Sequence, residues 1–217
     1  MGAILQKKQM SEEDIKLQYI TPSILSKWSR EKITMETRIT DGKINLKGNF
    51  VFREKPKRAD YILYLNENNP IAVVEAKDNH HAVSHGLQQA MTYAQMLDVP
   101  FAYSSNGDGF VEHDFLTGQE REFGLHDFPT EQELIARYKR ESSLTPSQEA
   151  MLDQPYYASQ STYPPRYYQR NAINRTVDAI ARGQQRILLV MATGTGKTYT
   201  AFQIIHRLWK SGRKKKI

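Results

Sequence analysis

Two short apolar runs joined by a turn constrain this chain more than any other feature. The first reads Tyr61-Ile62-Leu63-Tyr64-Leu65 and the second Ile71-Ala72-Val73-Val74, with Asn66-Glu67-Asn68-Asn69-Pro70 between them. Runs of that length and composition read as strands, and the Asn- and Pro-containing segment as the turn that joins them. The second run is continuously apolar, which predicts a central strand covered on both faces. A hairpin of this kind lays the start of one strand beside the end of the next. Asp60 then becomes a neighbour of Glu75-Ala76-Lys77. Two carboxylates held together repel at neutral pH unless a cation lies between them. Oxygen donors beside a lysine suit Mg²⁺, which takes carboxylates, water and substrate phosphates. Such a metal polarises a phosphodiester and acidifies an attacking water. An acid-x-Lys at a strand end is also a common pair of solvated charges. On that run alone both readings stay open.

A helix is expected from about Ala82 to Leu97, with Ala82, Leu87, Ala90, Ala94 and Leu97 on its apolar side. Gln89 and Tyr93 are four residues apart and so share one face. Asp60, Glu75-Ala76-Lys77 and Gln89-x-x-x-Tyr93 together resemble the PD-(D/E)xK nuclease signature with its QxxxY extension. Followed by a motor motif, the combination is similar to the restriction (R) subunit of type I restriction–modification enzymes. Arg58-Ala59-Asp60-Tyr61 and Tyr103-Ser104-Ser105-Asn106-Gly107 fit the same resemblance. One departure is that Ala59 stands where the family's nominal pattern has proline.

The resemblance implies roles. Asp60 and Glu75 would bind Mg²⁺, with the Ala76 carbonyl as a third ligand. Lys77 would orient or deprotonate the attacking water, or stabilise charge on the phosphate. Gln89 and Tyr93 would contact the DNA backbone or steady the catalytic lysine. Family nucleases often add an acid from the first helix, here Glu12 or Glu13. Acids at that position are equally explained as N-terminal capping and dipole partners.

The second signal lies near the other end. Ile187-Leu188-Leu189-Val190-Met191 reads as a buried strand, and Ala192-Thr193-Gly194-Thr195-Gly196-Lys197-Thr198 follows it. A helix from Lys197 to about Lys210 completes the context a phosphate cradle needs. Loop N–H groups wrap the phosphates, Lys197 reaches the β/γ oxygens and Thr198 holds Mg²⁺. Met191 stands where the strict G-x-x-x-x-G-K-T pattern wants glycine. The looser form resembles that of superfamily 2 helicases, and Pro165-Arg166-Tyr167-Tyr168-Gln169 resembles their adenine-contacting segment, with Gln169 as the base reader. Nineteen residues follow Thr198, with no Asp-Glu box among them. On this reading the chain carries only the opening of an ATP-driven motor, from which ATP hydrolysis is not expected.

Charge divides the chain. From Met151 onward there are twelve Lys and Arg against two Asp and Glu, leaving eighteen against twenty-two before it, within an overall net of +6. A basic motor half suits phosphate contacts. The terminal Arg213-Lys214-Lys215-Lys216 is equally a solvated tail, and Lys55, Lys57 and Arg58 form a basic lip ahead of Asp60. The absence of cysteine and of any apolar run near 20 residues predicts a cytoplasmic protein with no membrane association. His80, His81 and His85 read as polar loop and helix-start residues, for want of a matching third ligand.

The expected organisation is a nuclease domain over 1–140, a linker over 141–164 and the start of a helicase-like ATPase domain over 165–217. The expected fold is α/β. It comprises a first helix (Ser11 to Trp28), a hairpin near Asn45 to Phe52, the Asp60 and Glu75 strands, the Gln89 helix, the Phe101 strand, a Gly107-Asp108-Gly109 turn into Val111 and a short helix from Thr130 through Tyr138. A small mixed sheet flanked by helices, of the restriction-endonuclease-like kind, would precede a strand–P-loop–helix of a RecA-like motor. The resemblance implies an endonuclease that cuts foreign double-stranded DNA, with Mg²⁺ and ATP as cofactors and modification and specificity subunits as partners. Two other readings are a helicase or repair translocase with a processing nuclease, and a non-catalytic module that docks DNA or partner subunits.

Overall fold

The structure is a computed structural model that describes residues 6–40, 44–47, 50–53, 55–66, 69–161 and 163–212. Glu67 and Asn68 of the expected turn, and the Arg213–Lys216 run, lie outside these residues. The chain forms two compact units, one comprising Met1–Leu65 and Pro70–Ser142, the other Asn66–Asn69 and Ser143–Ile217.

The first unit opens with helix α1 (Glu12–Ile15), which passes through a π-helical turn (Lys16–Ile20) into α2 (Thr21–Leu25). Ser11 caps it with a reciprocal pair of bonds: its Oγ accepts from the Asp14 N–H and its own N–H donates to Asp14 Oδ2. Strands β1 (Ile33–Thr40), β2 (Ile44–Lys47), β3 (Phe50–Arg53), β4 (Lys57–Asn66) and β5 (Asn69–Ala76) follow. Then come α3 (Leu87–Leu97), β6 (Phe101–Ser105), β7 (Gly109–Asp114), β8 (Gln119–Gly124) and α4 (Glu131–Ser142). Six strands make one sheet in the order β1-β4-β5-β6-β7-β8, and β2 and β3 pair separately as an antiparallel ribbon.

The sheet is mixed because of one connection. β5 and β6 run parallel, with Val74 beside Tyr103 and Glu75 beside Ser104. A parallel pair needs a crossover, and α3 supplies it. β1 pairs antiparallel with β4, and β6 to β8 form an antiparallel meander. Every residue from Ile71 to Ala76 is buried, as a central strand requires. Ile15, Ile20, Ile24 and Trp28 of the first helical segment share one core with Tyr61, Leu63, Phe101, Tyr103, Phe110 and Phe128.

The second unit contains α5 (Pro146–Leu152), α6 (Tyr167–Ala181) and α7 (Lys197–Lys210). Met151, Tyr156, Ile173, Val177, Ile204 and Leu208 form its core.

The structure departs from the expectations in three places. Residues 187–191 form no strand; Leu188 and Val190 are 86% and 88% exposed. A strand exists only through a ladder partner, and none is present for this run among the described residues. The stretch 141–164, expected as a linker, contains α5, which Thr145 starts through a capping box with Gln148. α4 runs on to Ser142, beyond the expected end at Tyr138.

Candidate active site

The hairpin-like neighbourhood of β4 and β5 brings Asp60 to the end of β5. Asp60 Oδ2 accepts the Ala76 N–H at 2.8 Å, and the Asp60 N–H donates to Glu75 Oε1 at 3.4 Å. Glu75 is 1% exposed. Burial, and after it the charge of Asp60, pushes its carboxyl up to about 8. A carboxyl raised that far holds its proton at pH 7 until a cation replaces it.

A hydrogen bond to Glu75 comes from α3. Gln89 Nε2 donates to Glu75 Oε2 at 2.6 Å and to the Tyr93 hydroxyl at 3.3 Å. The sequence reading offered DNA or the lysine as partners of Gln89, whereas the observed bond is to the acid. Burial raises the Tyr93 hydroxyl above its ordinary range, with the charge of Glu75 adding to it. The start of α3 is pinned by Ser104, whose Oγ donates to Val83 O at 2.6 Å and accepts the Gly86 N–H at 3.0 Å. A Cβ on Gly86 would lie 2.9 Å from that Oγ and 3.4 Å from Glu75 Cβ. Glycine therefore lets the helix approach closely enough for Gln89 to reach Glu75.

Lys77 extends the β5–β6 pairing, its N–H donating to Ser105 O at 2.8 Å. Its half-buried ammonium has no hydrogen bond or ion pair among the described residues, and its charge acts on Glu75. Lys57 Nζ lies 5.9 Å from the centre of the Tyr93 ring.

A second set of groups meets Asp60 from the other side. Lys16, at the start of the π-helical turn, places Nζ 2.6 Å from Asp60 Oδ1, 2.9 Å from Glu13 Oε1, 2.9 Å from Glu36 Oε1 and 3.6 Å from Glu12 Oε1. The side chain is 4% exposed. The register pairs of Met35 with Tyr61 and Thr37 with Ala59 set Glu36 opposite Asp60. Glu36 takes a left-handed backbone, φ 50, and the ammonium of Lys16 holds its carboxyl below the ordinary range. Sequence reasoning named Glu12 and Glu13 and missed Lys16 and Glu36. The only signals for Lys16 were its spacing of four from Glu12 and its place beside the apolar Ile15–Ile20–Ile24 stripe.

The side-chain atoms that Asp60 and Glu75 could offer a metal are all oxygens, and the described residues contain no cluster of three or more His, Cys, Asp or Glu able to hold a metal. Two carboxylates and a backbone carbonyl fit Mg²⁺, which keeps several waters and phosphate oxygens in its shell. The rings of His81 and His85 stack at 4.1 Å, and the His80 backbone N–H donates to Asp78 Oδ1 at 2.9 Å.

In the second unit, Gly194 and Gly196 take left-handed backbones (φ 78 and 84) ahead of α7. Lys197 Nζ bonds to its own loop, at 3.2 Å from Met191 O and 3.1 Å from Ala192 O. Thr195 Oγ1 donates to Ala192 O at 2.6 Å, while Thr193 and Thr198 are exposed. Gln169 is buried and braces the loop, its Nε2 donating to Thr195 O at 2.9 Å and its Oε1 accepting the Arg166 N–H at 2.9 Å. A Cβ on Gly196 would stand 2.4 Å from Gln169 Nε2.

Fold and site together define an α/β protein whose mixed six-stranded sheet gathers a half-buried aspartate, a buried glutamate and a lysine at the end of its central strand. Comparison with known proteins gives the family. Residues 26–129 match the model of the type I restriction enzyme R protein N terminus (HSDR_N), and residues 162–217 that of the type III restriction enzyme, res subunit. The type I restriction enzyme EcoAI endonuclease subunit of Escherichia coli is 44% identical over 221 residues, which is 99% of this chain and 27% of that protein. The EcoKI endonuclease subunit of Escherichia coli K12 is 30% identical over 73% of this chain and 17% of its own length. A solved fragment assigned to an HsdR subunit of a type I restriction enzyme from Vibrio vulnificus YJ016 has TM-score 0.82 and 41% identity, covering 93% of this chain and 38% of that one. The chain belongs to the type I restriction enzyme R-subunit family. It spans about a quarter or less of the length of the two Escherichia coli relatives.

Proposed function

We propose that this chain carries the Mg²⁺-dependent endonuclease site of a type I restriction enzyme R subunit, a PD-(D/E)xK nuclease that hydrolyses phosphodiester bonds of foreign double-stranded DNA. The observation that carries the reading is the joining of Asp60, Glu75 and Ala76 at the end of β5, with Gln89 on the acid and the Lys77 ammonium engaged by no hydrogen bond or ion pair among the described residues. Asp60, Glu75 and the Ala76 carbonyl would hold the metal. When bound, Mg²⁺ supplies polarisation of the phosphate and an acidified water. Lys77 orients that water or stabilises charge on the phosphate. Gln89 holds the Glu75 carboxylate in place, and Tyr93 backs Gln89. The nuclease domain would occupy 1–140 and be joined through 141–164 to an ATPase start over 165–217. There Thr193 to Thr198 would cradle the phosphates and Gln169 would read the base and brace the loop. The match of 162–217 to a restriction-enzyme subunit supports a translocase coupled to cleavage.

Modification and specificity subunits are the expected partners, and the cytoplasm the expected compartment. Among the described residues no helix is long and apolar enough to cross a membrane. The test is Mg²⁺-dependent cleavage of unmodified double-stranded DNA by the assembled enzyme, with Asp60→Ala and Lys77→Ala beside the wild type. Each variant should lose cleavage while keeping ATP hydrolysis, and undiminished cleavage by either would refute the assignment.

A further inference from the structure

Lys16 is a buried charge beside the acidic pair that the proposed chemistry does not use. Its ammonium sits within 2.9 Å of three carboxylates, on Asp60, Glu13 and Glu36, and 3.6 Å from a fourth, on Glu12. Asp60 and Glu36 face each other across β4 and β1. Like charges directly opposite on neighbouring strands are unfavourable unless a cation bridges them, and here the cation is Lys16. Both oxygens of Asp60 are already engaged, Oδ1 by Lys16 and Oδ2 by the Ala76 N–H. A divalent cation approaching Asp60 therefore meets an ammonium on the same carboxylate, and the two positive charges repel across a few ångströms of low-dielectric interior.

The structure also supplies a place for the ammonium to go. Glu12 and Glu13 are 38% and 75% exposed and lie on the same helical segment, three and four residues before Lys16. The flexible stem of a lysine lets its head swing toward such partners.

We propose that Lys16 is a built-in counter-ion of the acidic site, which a divalent cation displaces from Asp60 toward Glu12 and Glu13, so that this residue sets the metal concentration at which the site loads. The proposal rests on the reading of Asp60 and Glu75 as metal ligands. Lys16 is on this view a positioning residue: it holds Asp60 and Glu36 together in the metal-free protein and is not required to touch DNA.

The test is Mn²⁺ binding by calorimetry on this chain, comparing wild type, Lys16→Met and Asp60→Asn. The expected result is Mn²⁺ binding in the wild type that Asp60→Asn abolishes and Lys16→Met tightens by about tenfold or more, as removal of a neighbouring positive charge should. Equal or weaker binding by a folded Lys16→Met, with Asp60→Asn still abolishing it, overturns the counter-ion role and leaves the metal site standing. Unchanged Mn²⁺ binding in Asp60→Asn fails the metal-site reading itself and removes the ground of this proposal. Should Lys16→Met not fold, the unmodified chain decides. The Lys16 ammonium nitrogen, followed by NMR through a Mg²⁺ titration, should move over the same concentrations as the Asp60 carboxyl carbon. An ammonium signal that stays put while Asp60 saturates overturns the proposal.

Discussion

Gln89 Nε2 donates to Glu75 Oε2 at 2.6 Å, so the helix that crosses between the two parallel strands also holds the acid at the end of the first. A buried carboxyl that accepts from a positioned donor is oriented by it. The same glutamine touches the Tyr93 hydroxyl at 3.3 Å, which fixes its own rotamer.

Replacement of Gln89 by Leu should therefore weaken catalysis more than the fold. Outer-shell partners of metal-holding carboxylates are typically worth about 10- to 100-fold in affinity or activity. Gln89→Leu is expected to lose cleavage in that range and to stay within about 1 kcal/mol of wild-type stability by denaturant titration. A wild-type cleavage rate would show that the bond to Glu75 has no part in the site.

The raised carboxyl of Glu75 gives a pH signature. Its pKa of about 8 in the folded protein exceeds the ordinary 4.5, so between these values the native state binds a proton that the unfolded chain releases. This group alone makes stability fall as pH rises from about 4.5 to 8. A cation, conversely, must expel that proton. Mg²⁺ affinity should climb between pH 6.5 and 8 by up to about tenfold per unit and level off above. Calorimetry in buffers of differing ionisation enthalpy should record release of about one proton per Mg²⁺ below pH 7; none released would refute the account.

A different acid gives a signature at low pH. Glu112 is 1% exposed and accepts from Arg121 Nε at 2.8 Å, from Arg137 at 2.7 and 3.0 Å, and from the Tyr103 hydroxyl at 2.5 Å. Arg137 also binds Asp114 at 2.8 Å, so the cluster ties α4 to β6, β7 and β8. Although burial opposes the shift, the guanidiniums hold the carboxyl down to about 2. The stability it contributes is complete above about pH 4.5 and is lost as pH falls toward 2. Glu112→Gln should cost about 3–5 kcal/mol at pH 7, because it leaves partly buried cations uncompensated. The variant's urea midpoint should also depend less on pH below 4.5 than that of the wild type.

Gly196 offers a test in the second unit. Its φ of 84 strains any side chain there, and an added Cβ would push the Gln169 amide off the loop. Gly196→Ala should displace Gln169 and abolish ATP hydrolysis in the full-length enzyme. Measured on the same preparation, the Mg²⁺ affinity of the Asp60 site should be unchanged.

Local patterns made much of this legible. Apolar runs identified β4 and β5, and the spacing of Gln89 and Tyr93 placed them on one helix face. Ser11 and Thr130 marked helix starts, and the glycine-rich run before Lys197 marked α7. Where the sequence pattern failed, a partner elsewhere in the chain was the deciding factor. Ile187 to Met191 has the composition of a buried strand, yet composition cannot supply the neighbouring ladder. The helix at Pro146–Leu152 was hidden in a polar stretch because Thr145 and Gln148 cap it and Met151 is its one fully buried residue.

By itself the sequence singled out the candidate residues: Asp60, Glu75, Lys77, Gln89 and the glycine-rich loop before Lys197 are set by residue type and short-range spacing. Only tertiary structure decided what those groups touch. Lys16 reaches Asp60 across forty-four residues, and Glu36 faces Asp60 through strand register. Arg137 closes on Glu112 from a helix twenty-five residues on. The reason is physical: a charge's partner is chosen by which surfaces the core brings together, and that choice has no period along the chain.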